Sequence, residues 1–257
     1  MANNNILMAM HRRRFLRDSG SAMSLVGIQA FLNRDQLDSS RRLVCVGGHP
    51  DDPESGCGGT LCLASKAGHA VSVIYLTRGE AGIPGIAHEE AARIRTAEAE
   101  AACRIIGAKP VFAGQVDGDT KVDKHWVSRM QALIETEKPD MILTHWPVDS
   151  HMDHQCASLL TIQAWMRSGK KIPLYFFEVC QGAQTRLFHP TDYVDITAAR
   201  EQKRQAVYCH TSQNPPGIYE ADDCNHEMME RFRGIEAGVQ YAEGFVRCTG
   251  VTSGLFG

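Results

Sequence analysis

Two short clusters of histidine and carboxylate side chains, far apart in the chain, together offer the groups that bind a divalent metal ion. Residues 49–52 read HPDD, and residues 149–154 read DSHMDH. A catalytic zinc ion takes three ligands of these types and leaves a fourth position for water, which a nearby carboxylate can deprotonate. The clusters therefore contain every group that metal-assisted hydrolysis needs.

The spacing inside each cluster helps to direct these side chains. Pro50 restrains the backbone on both sides of it, so the turn can point Asp51 and Asp52 towards different partners. His151 and His154 are three positions apart and share one face of a helix that starts here.

Alternating strand and helix patterns place both clusters at strand ends. Apolar runs predict strands at 43–46, 70–76, 110–113, 141–144 and 173–179, and helical patterns occupy 58–66, 88–106, 122–137 and 151–166. This alternation predicts βαβ units and a mostly parallel sheet flanked by helices. In such folds, ligands bind beyond the carboxyl ends of the strands. Because the clusters follow the first and fourth strands, the sheet should bring them together.

The rest of the chain carries weaker patterns. An edge strand is predicted at 193–196, a helix at 198–208 and another near 222–236, with irregular structure around Pro215. Residues 41–257 are expected to form one catalytic domain with a C-terminal extension.

Composition excludes several classes of function. The 257 residues are 43% hydrophobic, with a net charge of -3 and a pI near 6.4, so no basic excess indicates nucleic-acid binding. No apolar run is long enough to predict an integral membrane segment. Apolar surface on the C-terminal extension is expected to serve a homo-oligomer interface.

Residues 1–40 differ in character from the rest of the chain and are excluded from the predicted fold. Three arginines at 12–14 precede Phe15, Leu16 and a weakly apolar run to Leu32, a pattern that resembles a twin-arginine export signal. Export is favoured, and the alternative is a basic N-terminal arm on a cytoplasmic enzyme.

Several motifs resemble the PIG-L/LmbE-like family of deacetylases. They are the HPDD turn, the GCGGT run at 56–60, the LTRGE run at 76–80 and the HMDH run at 151–154. Weaker similarities at Arg95, at 117–118, at 210–213 and at 241–245 extend the resemblance over about residues 42–247. The resemblance implies a Rossmann-like three-layer α/β sandwich and zinc-dependent removal of N-acetyl groups from N-acetylglucosamine-type conjugates.

The resemblance also implies roles for individual residues. It makes His49, Asp52 and His154 the zinc ligands and Asp51 the general base. In the catalytic set, His151 would stabilise the oxyanion or support protonation of the leaving amine, and Asp153 would orient a histidine. Arg95 and Asp117 would contact sugar hydroxyls.

Alternatives remain open for some of these assignments. Arg95 could instead form an ion pair with Glu98, and His210 either reaches the site or is simply buried. The metal could be Fe²⁺ instead of Zn²⁺, because His and Asp ligands do not select sharply. The alternative functions are an amidase acting on another N-acyl or thiol-conjugate substrate and a non-catalytic module that binds sugars or nucleotides.

Overall fold

The computed structural model describes residues 27–32, 40–179, 184–220 and 225–248. The strands are β1 (Arg42–Gly47), β2 (Ala70–Tyr75), β3 (Ala108–Phe112), β4 (Met141–His145), β5 (Leu174–Phe177), β6 (Asp192–Asp195) and β7 (Ala242–Arg247). The helices are α1 (Ile28–Leu32), α2 (Asp52–Lys66), α3 (His88–Ile106), α4 (Lys124–Glu137), α5 (Met152–Arg167), α6 (Arg200–Val207), α7 (Pro215–Tyr219) and α8 (His226–Ala237). A 3-10 helix covers Thr211–Gln213.

The seven strands form one sheet in the order β3-β2-β1-β4-β5-β7-β6. Strands β1 to β5 pair in parallel, whereas β7 runs antiparallel to both β5 and β6. The chain proceeds outwards from β1 through β2 to β3, and then returns to the other side of β1 with β4. The predicted α/β fold with a mostly parallel sheet is confirmed.

Alternating side chains of each strand serve two separate cores, one on each face of the sheet. In β1, Leu43 and Cys45 belong to one core, and Val44 and Val46 belong to the other. Residues of α2, α3 and α6 complete the first core, while residues of α4 and α5 complete the second. This arrangement is the three-layer sandwich that the sequence resemblance implied.

Several elements differ from the prediction. Helix α2 begins at Asp52 and not at Gly58, and it contains a kink at Cys57, where φ is -144°. Strand β7 and the short helix α7 were not predicted. Helix α1 lies within the excluded N-terminal residues, but its Ile28 and Phe31 are buried in the first core, so that exclusion was wrong for this segment. Within the described residues, no helix has the length and apolar character needed to cross a membrane.

Candidate active site

The two polar clusters meet at the carboxyl edge of the sheet, where the strand order reverses. Strand β1 has β2 on one side and β4 on the other, a topological switch point that commonly forms a ligand-binding crevice. The turn after β1 carries His49, Asp51 and Asp52, and the start of α5 carries His151 and His154. His49 and His154 are therefore in contact although 105 positions separate them.

The three predicted metal ligands point their atoms at one small volume. His49 Nδ1 and His154 Nε2 each lie 3.2 Å from Asp52 Oδ2, and they lie 3.3 Å from each other. A tetrahedral ion with bonds of about 2.0–2.1 Å separates its ligand atoms by about 3.4 Å. The triangle therefore fits a single divalent ion, and all three side chains are buried.

Close approach of the backbone makes room for this triangle. A Cβ atom on Gly48 would lie 2.9 Å from His154 Cδ2 and 3.1 Å from Asp52 Oδ2. Any larger residue at position 48 would push His154 and Asp52 away from each other. The site therefore needs Gly48.

Carboxylates hold the outer nitrogens of both histidine ligands. His49 Nε2 lies 3.0 Å from Asp153 Oδ2 and 3.2 Å from Asp117 Oδ1, and His154 Nδ1 lies 3.3 Å from Asp149 Oδ1. Such contacts fix the ring orientation and the tautomer of a metal-binding histidine. The contact that the prediction for Asp153 requires is thus present, and its role in orienting His49 stays a prediction.

The Asp117 carboxylate also lies beside His49. Its Oδ1 is the oxygen beside His49, and its Oδ2 accepts a hydrogen bond of 3.1 Å from the backbone N–H of Ala81. The residue does line the open pocket above the site, so the predicted contact with a sugar hydroxyl stays a prediction.

Asp51 lines the same pocket as the predicted metal ligands and forms an ion pair with Arg95. Its backbone has a φ of 107°, a conformation that costs free energy for any residue except glycine. The Glu54 carboxylate accepts the Asp51 N–H at 3.2 Å and helps to hold this turn. Arg95 donates to Asp51 Oδ2 at 3.0 Å and also to the Pro50 carbonyl.

The ion pair proposed between Arg95 and Glu98 does not form. Glu98 instead accepts hydrogen bonds from Thr211 and Ser212, while the Arg95 guanidinium is committed to the turn that carries Asp51. Arg95 is 3% exposed and lines the open pocket, so contact with substrate stays a prediction for it as well.

His151 stands at the mouth of the site as the N-cap of α5. Its Nδ1 accepts the backbone N–H of Asp153 at 3.2 Å, so a neutral imidazole carries its proton on Nε2. The ring centroid lies 4.7 Å from those of both His49 and His154. Burial and the neighbouring imidazoles lower the pKa of His151, which favours this neutral donor.

Two pockets open from the ligand triangle. The outer pocket has a volume of about 370 Å³ and is lined by His49, Asp51, Asp52, Ala81, Gly82, Arg95, Asp117, His151, His154, Gln184 and Gln213. The inner chamber has a volume of about 200 Å³ and is lined by Asp51, Asp52, Ser55, Val179, Gln184, Val207, His210, Gln213, Pro215, Ile218 and His226. Asp51, Asp52, Gln184 and Gln213 line both pockets and mark the junction between them.

Comparison with known families and structures agrees with this geometry. A family model described as "PIG-L: GlcNAc-PI de-N-acetylase" matches residues 44–165, the span that holds both polar clusters. Residues 44–165 therefore form a PIG-L domain. Its match begins in β1 and ends within α5, and the proposed ligands His49, Asp52 and His154 all lie inside it.

The relatives that this chain matches over most of their length include enzymes with two different reactions. A diacetylchitobiose deacetylase of Thermococcus kodakarensis is 28% identical, over 83% of this chain and 85% of its own. A 4-oxalmesaconate hydratase of Pseudomonas putida is 26% identical, over 86% of this chain and 92% of its own. The structure of an N,N'-diacetylchitobiose deacetylase from Pyrococcus horikoshii superposes with a TM-score of 0.71 at 24% identity, covering 88% of this chain and 91% of that one.

Some residues of this PIG-L site were not singled out from the sequence. Gln184 Nε2 lies 3.1 Å from His154 Nδ1, and Ile218 and His226 line the inner chamber. They come from the C-terminal extension, whose local pattern predicts no function. His210 was noted, and it is 1% exposed in the chamber wall, with Nε2 3.4 Å from Glu54 Oε1.

Proposed function

We propose that this protein is a metal-dependent N-deacetylase that removes acetyl groups from an amino-sugar conjugate of the N-acetylglucosamine type. The observation that carries the proposal is the ligand triangle of His49, Asp52 and His154, with Asp51 and the His151 donor lining the same pocket. The family description and the deacetylase relatives support the same reaction.

Each residue of the site has a separate role in amide hydrolysis. A divalent cation held by the triangle supplies Lewis-acid polarisation of the carbonyl and an acidified water. Asp51 accepts the proton of the attacking water, and Arg95 holds the carboxylate in place. His151 donates a hydrogen bond from its Nε2–H to the oxygen that becomes negative in the transition state. Asp51 then passes the proton taken from water to the leaving nitrogen, so the products are acetate and a free amine.

The charge of the pockets favours a neutral, hydroxyl-rich substrate over the carboxylate substrate of a hydratase. Among the described residues that line the two pockets, Arg95 is the one arginine or lysine, and it is already paired with Asp51. Asp51, Asp52 and Asp117 add negative charge to the same surface. Sugar hydroxyls can donate hydrogen bonds to these oxygens, whereas several substrate carboxylates would be repelled.

Metal analysis and a product screen test the proposal together. The protein as isolated is expected to contain about one divalent ion per chain and to release acetate from N-acetylglucosamine or N,N'-diacetylchitobiose. Hydration of 4-carboxy-2-hydroxymuconate without acetate release would replace the deacetylase by a hydratase. Sugar binding without turnover by metal-loaded protein would favour a non-catalytic module. Metal content distinguishes Zn²⁺, which we propose, from Fe²⁺.

Export is proposed from the N-terminal sequence, and self-association is proposed from an exposed apolar face of α8. The arginines at 12–14 that motivate export lie outside the described residues, and N-terminal sequencing of protein made in its own host tests the proposal.

Met228, Phe232 and Ile235 are exposed on α8, which supports a homo-oligomer through the C-terminal extension. Light scattering that gives a monomer mass would contradict it.

A further inference from the structure

The inner chamber lies beyond the catalytic junction and differs in character from the outer pocket. Its wall shares Asp51, Asp52, Gln184 and Gln213 with the outer pocket but contains neither Arg95 nor Asp117. Four of the seven residues that line this chamber alone are apolar, namely Val179, Val207, Pro215 and Ile218, and the other three are Ser55, His210 and His226. The outer pocket therefore has the more polar surface, and the inner chamber adds an apolar patch.

Amide hydrolysis requires the two parts of the substrate to leave the reacting carbon in different directions. The carbonyl carbon must sit beside Asp51 and the ligand triangle, at the junction of the two spaces. An amino sugar needs hydrogen-bond partners for its hydroxyls, which the outer pocket supplies. The acyl group, which is hydrocarbon beyond the carbonyl, is then directed to the inner chamber, where its transfer from water is favourable.

The size of the chamber exceeds what an acetyl group needs. An apolar cavity of roughly 150 Å³ can hold a six-carbon ring such as benzene, and this chamber measures about 200 Å³. The single methyl group of an acetyl would leave most of that space without contacts. On the basis of the proposed N-deacetylase function, we propose that the inner chamber binds the acyl chain and also accepts longer N-acyl groups of about four to six carbons.

Ile218 is the residue best placed to test the chamber. It is half-buried on the short helix α7 and lines the inner chamber but not the outer pocket. Ile218→Phe should fill part of the space, and Ile218→Ala should enlarge it. Met166→Phe is the matched control, because Met166 is 45% exposed near the end of α5 and lines neither pocket.

The experiment compares kcat/KM for glucosamine carrying N-acetyl, N-butanoyl or N-hexanoyl groups, using the metal-loaded full-length protein. The wild type is expected to hydrolyse the butanoyl and hexanoyl substrates at least as efficiently as the acetyl one, because each buried methylene contributes about fourfold. Ile218→Phe should lower the hexanoyl-to-acetyl ratio at least tenfold, Ile218→Ala should raise it, and Met166→Phe should leave it unchanged.

Three results would overturn the assignment. One is a wild type that hydrolyses the acetyl substrate more than a hundredfold better than the butanoyl one. Another is an acyl preference that neither Ile218 variant changes, which would place the acyl chain elsewhere. Both leave the deacetylase function intact, whereas failure to hydrolyse any of the three amides would remove the proposed function and the acyl site together.

Discussion

At the scale of single residues, the adjacent Asp51 and Asp52 lie in environments that shift their pKa values in opposite directions. Asp52 faces the imidazoles of His154 and His145, which hold its pKa well below the usual value although burial opposes this. Burial raises the pKa of Asp51, and the Arg95 guanidinium only partly offsets that shift. The positive φ of Asp51 separates the two carboxylates, so one can bind a cation while the other exchanges a proton.

The first prediction separates the roles of these aspartates. Asp51→Asn should keep the bound metal and lose about 10²–10⁴-fold in kcat, because an amide cannot accept the proton of water. Asp52→Ala should lose the metal itself, since one corner of the ligand triangle disappears. Metal content by mass spectrometry and kcat measured on the same samples check both outcomes. Metal loss from Asp51→Asn with retention by Asp52→Ala would exchange the assignments.

The second prediction concerns the positioning carboxylate behind His49. Asp153→Asn removes the charge beside His49 Nε2 and should weaken metal affinity by about 10–100-fold. A competition titration with a chromophoric chelator measures this. Asp119→Asn is the control, because the Asp119 side chain is 73% exposed and faces Lys121 instead of a metal ligand. Equal affinities for the two variants would show that Asp153 has no part in holding the metal.

Residue types and strand order were sufficient to predict that the two polar clusters meet, because the carboxyl ends of neighbouring parallel strands share one edge, whereas the choice of ligands came from the family resemblance. They were not sufficient for Arg95. On a helix, Glu98 is its near neighbour at i+3, but a buried guanidinium takes the partners that the tertiary fold offers, here Asp51 and Pro50. His145 lies beside the proposed metal ligands but is not counted as one of them. Its Nε2 already accepts the Gly48 N–H at 2.9 Å.

At the scale of elements, the kink in α2 separates the part of the helix that carries Asp52 from the part that packs on the sheet. The backbone leaves helical geometry at Cys57, so the N–H groups of Gly59 and Thr60 need an acceptor outside the helix. Glu243 of β7 supplies it, accepting these N–H groups at 2.9 and 2.8 Å. The same carboxylate lies 2.7 Å from the buried ammonium group of Lys203.

The third prediction tests this cap. Glu243→Gln should lower the free energy of unfolding by about 3 kcal/mol, because it weakens a buried ion pair and turns an NH₂ group towards backbone donors. Urea unfolding followed by circular dichroism measures the change. Glu227→Gln removes a surface partner of Arg200, whose contact is 2.9 Å, and should cost less than about 1 kcal/mol. A Glu243→Gln variant as stable as this control would contradict the capping role.

The same contact explains why β7 was not predicted from the sequence. A strand is recognised by apolar residues at buried positions, and β7 places Glu243 and Gly244 there. The glutamate is buried because distant N–H groups and Lys203 satisfy it, which a local pattern cannot show. The start of α2 was misplaced for a related reason, since a glycine-rich run after a proline is not typical of a helix interior.

At the scale of the whole molecule, a metal ion would connect two parts of the chain that the sheet alone holds together. His49 and Asp52 follow β1, and His154 follows β4. The fourth prediction is that chelation lowers the melting temperature, since zinc at a hundredfold excess over its Kd stabilises the folded state by about 2.7 kcal/mol. Calorimetry with zinc or with EDTA measures the shift. His154→Ala should show no zinc-dependent shift, and a shift as large as that of the wild type would place the ion elsewhere.

Helix α1 lies inside the N-terminal run that resembles an export signal, so cleavage of such a signal would remove it. Ile28, Phe31 and Leu32 are buried in the first core, and the Phe31 carbonyl lies 2.9 Å from His69 Nε2. Removal of a signal ending near residue 35 would take these contacts away from the mature protein. The packing of α1 therefore favours a chain that keeps this helix, whether or not it is exported.

The fifth prediction measures what α1 contributes. Phe31→Ala should lower the free energy of unfolding by about 3 kcal/mol, because it leaves a cavity in the core beneath the helix. Phe232→Ala is the matched control, since Phe232 is 51% exposed on α8 and its loss should cost less than about 1 kcal/mol. Urea unfolding of the full-length variants gives both values. If Phe31→Ala unfolds at the same urea concentration as the wild type, α1 adds nothing to stability, and cleavage after it becomes compatible with the fold.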